Sequence, residues 1–379
     1  MFKEAVGTGT KGRAAESGRD TAAGAPICFT ASMYSAHVWT DPKLYASHFG
    51  ATLHHQAFVE SFARRAAGGK VVLPPELDQA FLETQEPELE AARDLVIAHR
   101  LAQLRAADEE IASQSARMAD ATQRLAAAPS KGAGHSLRMS AQKVASAQRR
   151  RTLLVQGAEQ TQVGRVFPGT YVPVLLVHEG RLTVRPMRYQ CRPSHVERRM
   201  ENLLDAPHHA RRDGLSGRWR REFEHAHGIV AVESFFDAAS LHRLRARQVA
   251  PGESLEALEL EFLPTPPQTL YVPCLWAHWQ RPEQPDLWSF AMIIDRAPSE
   301  LVAIGQQWCP ITIRQENVQA WLTPDTSDLP ALHALLDDRP ALRFKHLPSS
   351  PERERLARPA PTKIINLWRP SRPDTQSGT

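Results

Sequence analysis

The sequence predicts an α+β protein with a barrel-like or two-sheet β core, peripheral helices and an inserted helical hairpin. Two observations lead to this class. From Val163 onward, short apolar or β-branched runs alternate with Pro, Gly and charged residues. Before them, from about Pro75 to Ala127, Ala, Glu, Gln, Leu and Arg dominate. Many short strands with few helices between them favour a barrel or two packed sheets.

Seven runs are expected to be strands because each is short, apolar and bounded by turn residues. They are Tyr171–His178, Arg181–Met187, Gly228–Phe236, Leu258–Leu263, Thr269–Trp276, Trp288–Asp295 and Pro310–Ile313. Helices are expected near Asn317–Trp321 and Asp328–Leu336. Residues 33–66 are expected to hold a short strand and then one helix from about Pro42 to Arg65, since the apolar residues there recur at helical intervals.

The segment 75–155 is predicted to form a helical hairpin inserted into the domain. Its first half has no proline between Pro87 and Pro129, and its apolar residues step by three, four or seven. Turn residues cluster at Ala128–Gly134, and a second helix is expected to about Arg151. A spacer or packing arm is the simpler interpretation. A coiled coil that binds a protein partner is the alternative, although the stretch has few clean heptads.

Composition excludes several classes of protein. The chain has 379 residues, 42% of them hydrophobic and 23% charged, which is ordinary for a globular protein. The formal net charge of +4 does not by itself indicate nucleic acid. The four cysteines are far apart and form no metal-binding pattern, so we expect no metal and no cofactor. No apolar stretch is long enough for a transmembrane helix, and a cytoplasmic location is expected.

Local amino-acid composition divides the chain into three parts. Residues 1–27 are rich in Gly, Ala and Thr and lack the apolar core of a signal peptide, so a disordered extension is expected. Residues 28–346 are expected to form one domain, interrupted by the insert 75–155. Residues 347–379 are rich in Pro, Ser and Arg and are expected to be a disordered tail.

Four motifs occur in order between Phe167 and Asp237. They are Phe-Pro-Gly-Thr-Tyr at 167–171, Pro-Met-Arg-Tyr at 186–189, His-Ala-Arg-Arg-Asp at 209–213 and Glu-Ser-Phe-Phe-Asp at 233–237. Their order and spacing resemble the SOS response-associated peptidase (SRAP) family. The resemblance covers residues 28–66 and 163–346 and is greatest with a bacterial branch that carries a helical insertion. It implies capture of abasic sites in single-stranded DNA, in the DNA-damage response.

The resemblance implies chemistry at an N-terminal cysteine. In the family the amine of that residue condenses with the abasic-site aldehyde, and its thiol closes a thiazolidine. Here Met33 falls at the cysteine position, in Met-Tyr-Ser-Ala at 33–36. Cys28, in Cys-Phe-Thr-Ala at 28–31, is a weaker copy of the same start and could serve only if processing made it N-terminal. An inert Cys28 is the other interpretation.

The other positions at which the family keeps reactive groups are also changed. The family's Asn that orients the N-terminal residue appears as His209, and its glutamate appears as Asp237. Its late histidine appears as Gln306, which can hydrogen-bond but does not exchange a proton near neutral pH. With these positions altered together, catalysis by the family's peptidase and lyase chemistry is left undecided.

Arginines with interleaved aromatic residues favour single-stranded DNA as a partner, because guanidinium groups hold phosphates and rings stack on bases. The candidate DNA-binding residues are Arg188, Tyr189, Arg192, Arg211, Arg212, Trp219 and Arg220. An ordinary solvated charged loop is the alternative interpretation of the same residues.

The leading hypothesis is therefore an SRAP-like protein that binds single-stranded or abasic DNA, with crosslinking possible only through an N-terminal Cys28. The second hypothesis is a catalytically degenerate interaction protein that uses the helical hairpin to bind a protein partner. A third, a cysteine hydrolase with an internal thiol, has little support because no Cys/His pairing can be read from the sequence.

Overall fold

The computed structural model describes residues 35–156, 162–195, 207–240, 244 and 257–349. The predicted extension 1–27, Cys28, Met33 and the part of the predicted tail from 350 onward lie outside these residues. The strands are β1 Ser35–Trp39, β2 Thr52–Leu53, β3 Val163–Val166, β4 Tyr171–His178, β5 Arg181–Tyr189, β6 His209–Arg211, β7 His227–Ser240, β8 Ala257–Thr265, β9 Leu270–Arg281, β10 Gln284–Arg296, β11 Trp308–Pro310 and β12 Arg343–Pro348.

Five strands close into a barrel. β4 pairs with β5 and with β7, β7 pairs with β9, and β9 pairs with β10, all antiparallel. The ring closes where β10 runs parallel to β5, with Phe290 opposite Tyr189. Closure removes the exposed edges that an open sheet of these strands would have. The predicted α+β fold with a barrel-like core is confirmed.

Side chains that alternate along the barrel strands form one buried cluster. Val172, Val174 and Leu176 of β4 belong to it, as do Phe290 and Met292 of β10. The intervening residues, such as Leu175 and Ala291, belong to a second cluster shared with the helices. Because successive side chains of a strand point to opposite faces, the first cluster fills the barrel and the second joins its outer surface to the helices.

Further strands extend the sheet beyond the barrel. β1 pairs with β7, and β3 with β1; β8 pairs with β7, and β12 with β8. β6 and β11 pair with β10, and β2 pairs with β5. The long strand β7 therefore belongs both to the barrel and to its extension, and its last residues, including Asp237, lie beyond the barrel pairing. β12 was not expected from the sequence, and it includes Leu347 and Pro348, the first two residues of the predicted tail.

The predicted helix from Pro42 to Arg65 is wrong in one respect, because it is two helices. α1 spans Pro42–Phe49 and α2 spans His55–Ala66. Gly50 ends α1 in the left-handed conformation, with φ of 66°, and its amide closes the last turn on Ala46. Glycine adopts this conformation without steric cost, so it stops the helix and lets β2 follow.

The inserted segment contains three helices. α3 spans Pro75–Leu82, and the long pair α4 Glu90–Ala127 and α5 Lys131–Gln156 forms the hairpin. The seam residues recur every seven positions, as Ala107, Gln114 and Ala121 on α4 and Ala133, Ser140 and Ala147 on α5. Small residues let the two helices approach closely. The buried residues therefore do follow a heptad repeat, with small residues at five of these six positions and Gln114 at the sixth, rather than large apolar ones.

The other α-helices of the described residues are short: α6 Arg220–His225, α7 Ser299–Ala303, α8 Val318–Leu322 and α9 Leu329–Asp337. The strand expected at Pro310–Ile313 lies earlier, as β11, and Ile313 makes only an isolated bridge to Tyr271. Among the described residues, no helix combines the length and the hydrophobicity that crossing a bilayer requires.

Candidate functional site

The end of β5 and the short strand β6 bring Tyr189 and His209 together. Tyr189 is buried, and its hydroxyl lies 3.2 Å from Nε2 of His209. Burial lowers the pKa of His209 well below its usual range, and the neighbouring His208 adds to this effect. The imidazole is therefore neutral at physiological pH, and its Nε2 can accept a hydrogen bond that the Tyr189 hydroxyl donates.

Asp237 lies in the same neighbourhood. Its charge contributes to the raised pKa of Tyr189, after the larger effect of burial. Burial also raises the pKa of Asp237 itself from 3.8 to about 6, against a hydrogen bond from the amide of Ala238. A carboxyl group with this pKa is shared between its acid and base forms near neutral pH, as proton transfer requires.

Gln306 joins this group from the segment before β11. Its side chain is buried, and Nε2 donates a 3.0 Å hydrogen bond to the backbone carbonyl of Ala238, next to Asp237. The structure thus places the three substituted family positions, His209, Asp237 and Gln306, around one end of the barrel. β1 runs beside them, since Ser35 pairs with Phe236. Met33 and Cys28 lie outside the described residues.

The described internal cysteines are poor nucleophiles. Cys191, Cys274 and Cys309 are buried. Burial raises the pKa of all three thiols, that of Cys309 to about 12. The reactive thiolate is scarce under these conditions, which argues against the hydrolase with an internal thiol.

Three of the predicted DNA-binding side chains are packed into the protein. Trp219 is only 3% exposed and belongs to the cluster outside the barrel. Tyr189 stacks on Phe290 inside the barrel. Arg192 is 7% exposed and covers the ring of Trp279 at 4.6 Å. These contacts account for a structural role of the three side chains, and DNA contact by them stays a prediction.

Two predicted arginines bind carboxylates of the protein. Arg212 pairs with Asp337, 2.6 Å from Nη2 to Oδ2, and lies 3.5 Å from Asp295. Arg220 pairs with Glu224 one helical turn away, at 2.8 Å. Arg188 is half-buried, and its Nε donates to the carbonyl of Gln190. The Arg212 network ties the residues after β6 to α9, so a structural role accounts for it.

Arg211 is exposed, and it contacts Trp308, a residue that the DNA-binding pattern of the sequence did not include. Its guanidinium lies 4.0 Å from the ring of Trp308, and Arg296 lies 4.8 Å from the same ring. Asp213 pairs with Arg211 at its other side. Trp308 follows Gln306 by two residues, so the only available signal was an aromatic residue within a family motif.

Arg218 adds a further cation near Arg211 in the sequence. It is exposed, and no carboxylate lies within salt-bridge distance of it in the part of the chain that the structure describes. Arg211 and Arg218 are therefore exposed cations of this stretch, and Trp308 is a half-buried ring in contact with Arg211.

One group of possible metal ligands occurs among the described residues, although the sequence predicts no metal. His55, Glu86 and Glu88 have ligand atoms within 4.8 Å of one another. Both carboxylates are exposed, and Lys43 lies 3.8 Å from Glu86. Ion pairing with Lys43 and His55 explains the cluster, which is remote in sequence from Asp237.

Comparison with protein families identifies the chain. The model of the family described as SOS response associated peptidase (SRAP) matches residues 135–352, which is more than half of the sequence. The chain belongs to the SRAP family. Membership supports a role associated with DNA damage. The expected resemblance is confirmed, and the match extends into α5 of the hairpin. No curated protein matches this SRAP chain.

Three of the solved structures that are similar to this SRAP protein come from two bacteria. A protein from Bacteroides thetaiotaomicron is 13% identical, with a TM-score of 0.40. The aligned region covers 49% of this chain and 78% of the Bacteroides chain. A protein from Bordetella bronchiseptica is 15% identical, with a TM-score of 0.38, covering 48% and 87% respectively. A phage-related protein from the same organism is 12% identical, with a TM-score of 0.37, covering 48% and 81%.

Proposed function

We propose that this SRAP protein binds single-stranded DNA, including strands with abasic sites, at the barrel end formed by Tyr189, His209 and Asp237. The observation that carries the proposal is the contact between the exposed Arg211 and the half-buried Trp308 beside this group. A guanidinium can hold a phosphate while the indole ring beside it stacks on a base, and single-strand grooves combine these two contacts.

Covalent capture is a further part of the proposal and requires a processed chain that begins at Cys28. The amine would add to the abasic aldehyde and lose water to give an imine, and the thiol would then add across the C=N bond. Asp237, with its pKa near 6, suits the donation of the proton that leaves with the hydroxyl group. Where Met33 or an internal Cys28 occupies this place, binding is expected without a covalent product.

Binding is tested by fluorescence anisotropy with a labelled 20-nucleotide single strand, with and without one abasic site. We expect a salt-sensitive complex, since the logarithm of the affinity falls linearly with the logarithm of the salt concentration, with a slope of about −0.7 for each phosphate that the protein neutralises. Arg211→Gln and Arg218→Gln should each weaken binding several-fold and reduce this slope by about one contact.

Arg117→Gln is the matched control. Arg117 is exposed on α4, so this variant loses the same charge at a position remote in sequence from Arg211 and Arg218. Equal weakening by all three variants would show that only net charge acts and would overturn the proposed surface. A denaturing gel of the abasic strand tests the covalent step separately. A heat-stable adduct that Cys28→Ala abolishes would support capture.

Partner binding by the hairpin is the second candidate function. Leu101 and Met139 on the long helices are exposed apolar side chains, which is the observation in its favour. Loss of a co-purifying protein on Leu101→Gln and Met139→Gln, with DNA binding unchanged, would support it.

A further inference from the structure

The foot of the helical hairpin is the start of α4 together with the end of α5. A cavity of about 340 Å³ lies where this foot meets α2 and α3. Small-molecule sites commonly have volumes of about 300–1,000 Å³, with apolar walls and a few convergent polar groups. The walls come from five parts of the chain: the end of α2, the loop Val71–Leu73, α3, the start of α4 and the end of α5. It is separate from the group around Asp237, which none of its lining residues joins.

The cavity has an apolar side. Val71, Leu73 and Val96 line it and are buried, while Val72 and Leu153 line it and are exposed. Leu153 is 64% exposed. An apolar ligand body in the cavity would remove these surfaces from water, at about 25 cal/mol for each Å² buried.

The opposite side carries a cationic group with unmet hydrogen-bonding capacity. The Arg65 side chain is about nine-tenths buried, and Nη1 lies 3.0 Å from Oδ2 of Asp78. Its Nε and Nη2 are buried without an acceptor among the described residues. These two N–H groups form one edge of the guanidinium, the edge that binds carboxylates with two parallel hydrogen bonds.

The charges around Arg65 favour an added anion. Arg100 also lines the cavity, where its Nε donates to the carbonyl of Leu154, and it acts electrostatically on Asp78. Burial raises the pKa of Asp78 in spite of both arginines, so the charged form of this carboxyl group is destabilised by its surroundings. One carboxylate thus faces two guanidinium groups, and His99 beside them has its pKa lowered by burial.

We propose that this cavity binds a small amphipathic anion, with a carboxylate or phosphate head on Arg65 and Arg100 and an apolar body against Val96 and Leu153. The head supplies the acceptor that the Arg65 edge lacks. Both the cationic and the apolar sides are needed, so neither a simple salt nor a neutral alkyl chain satisfies the site alone.

The test uses the full chain and isothermal titration calorimetry with octanoate, octyl phosphate, octylammonium, octanol and acetate. We expect one saturable site for octanoate or octyl phosphate, whichever head fits, and at least tenfold weaker binding of the other three. Arg65→Gln and Arg100→Gln should each weaken octanoate binding about tenfold, the usual effect of losing a charge-assisted hydrogen bond.

Arg105→Gln is the matched control, because Arg105 is exposed on the same helix and does not line the cavity. Circular dichroism at 222 nm shows whether Arg65→Gln folds. If that variant has lost its helical signal, the effect of Arg100→Gln on octanoate binding tests the proposal instead. Equal binding of octylammonium, equal weakening by Arg105→Gln, or no saturation by either octyl anion would overturn the proposal. Inhibition of DNA binding by octanoate is not required by it.

Discussion

At the residue scale, Asp237 determines how the candidate site responds to pH. Asp237 lies near the end of β7, and burial raises the pKa of its carboxyl group from 3.8 to about 6. Between these values the folded chain binds a proton that the unfolded chain has released. The stability that this proton supplies is present at low pH and is lost as the pH rises through the window from about 4 to 6.

Asp237→Asn should therefore stabilise the protein at pH 8 relative to pH 4. Asparagine does not ionise and can still accept from the amide of Ala238. The expected difference between the two pH values is about 1–3 kcal/mol, from a shift of about two pKa units at a partly exposed group. Urea unfolding at both pH values measures it. Asp94→Asn, exposed on α4, should show no such difference. A gain at pH 8 no larger than at pH 4 would contradict the assigned burial.

The same residues show what the sequence could predict about the site. His209, Asp237 and Gln306 were placed by motif order, because the family resemblance supplies contacts that lie far apart in the chain. The family resemblance does not show which of these side chains are buried. Trp219 and Arg192 sit in an arginine-rich stretch typical of a nucleic-acid surface, yet tertiary packing places them against the core. The same packing leaves Trp308 at the surface, between Arg211 and Arg296.

At the element scale, close packing in the barrel limits the size of the side chains that β7 can carry. Gly228 lies where a Cβ atom would approach Sγ of Cys274 to 2.9 Å and Cγ1 of Val174 to 3.0 Å. Its carbonyl also accepts from the indole of Trp321 at 3.0 Å, which limits movement of the strand. Glycine is required here because β4, β7 and β9 pack closely.

Gly228→Ala should cost about 1–3 kcal/mol of unfolding free energy, as overpacking of a filled core does. Adding Cys274→Ala removes the nearest atom, so the double variant should lose less than the sum of the single variants. Gly134→Ala, on α5 with open space around the added atom, should instead stabilise by about 0.5–1 kcal/mol. Urea unfolding of the four variants tests this. Simple additivity in the double variant would show that Cys274 is not the obstacle.

The hairpin shows which features of an element sequence alone can and cannot predict. Its two helices and their turn were predictable from propensity and from the absence of proline. The seam was not, since Ala107 and Ala147 are small and blend into an alanine-rich chain. Interhelical ion pairs fix the register, with Arg150 on Glu110 and Arg151 on Asp108 at 2.6 Å.

Ala107→Leu should therefore separate the helices and destabilise the hairpin by about 1–3 kcal/mol. Its neighbour Ala106 is exposed on the same helix, so Ala106→Leu should change stability by no more than about 0.5 kcal/mol. Loss of helical ellipticity on heating measures both. Equal effects of the two substitutions would mean that the seam is not close-packed in solution.

At the scale of the whole molecule, the foot and the tip of the hairpin differ in how they depend on the barrel. Phe81 of α3 packs on Phe58 and Phe62 of α2, with ring centroids 5.1 and 4.9 Å apart. Leu89, Ala92 and Val96 extend the same cluster. From Ala107 onward, the buried residues of α4 lie outside both large clusters and face α5. The foot therefore belongs to the domain core, whereas the tip is held by its own seam.

A chain with residues 113–146 replaced by a short Gly-Ser loop should therefore fold and keep both proposed sites. The cut preserves the ion pairs at Asp108 and Glu110 and every residue that lines the cavity. Removing 75–155 should instead unfold the protein, because it takes Leu77 and Phe81 from the core. We expect the shortened chain to bind single-stranded DNA within twofold of the full chain, and octanoate likewise. Loss of DNA binding alone, with octanoate binding and urea unfolding unchanged, would assign DNA contact to the hairpin tip and move the interface away from Arg211 and Trp308.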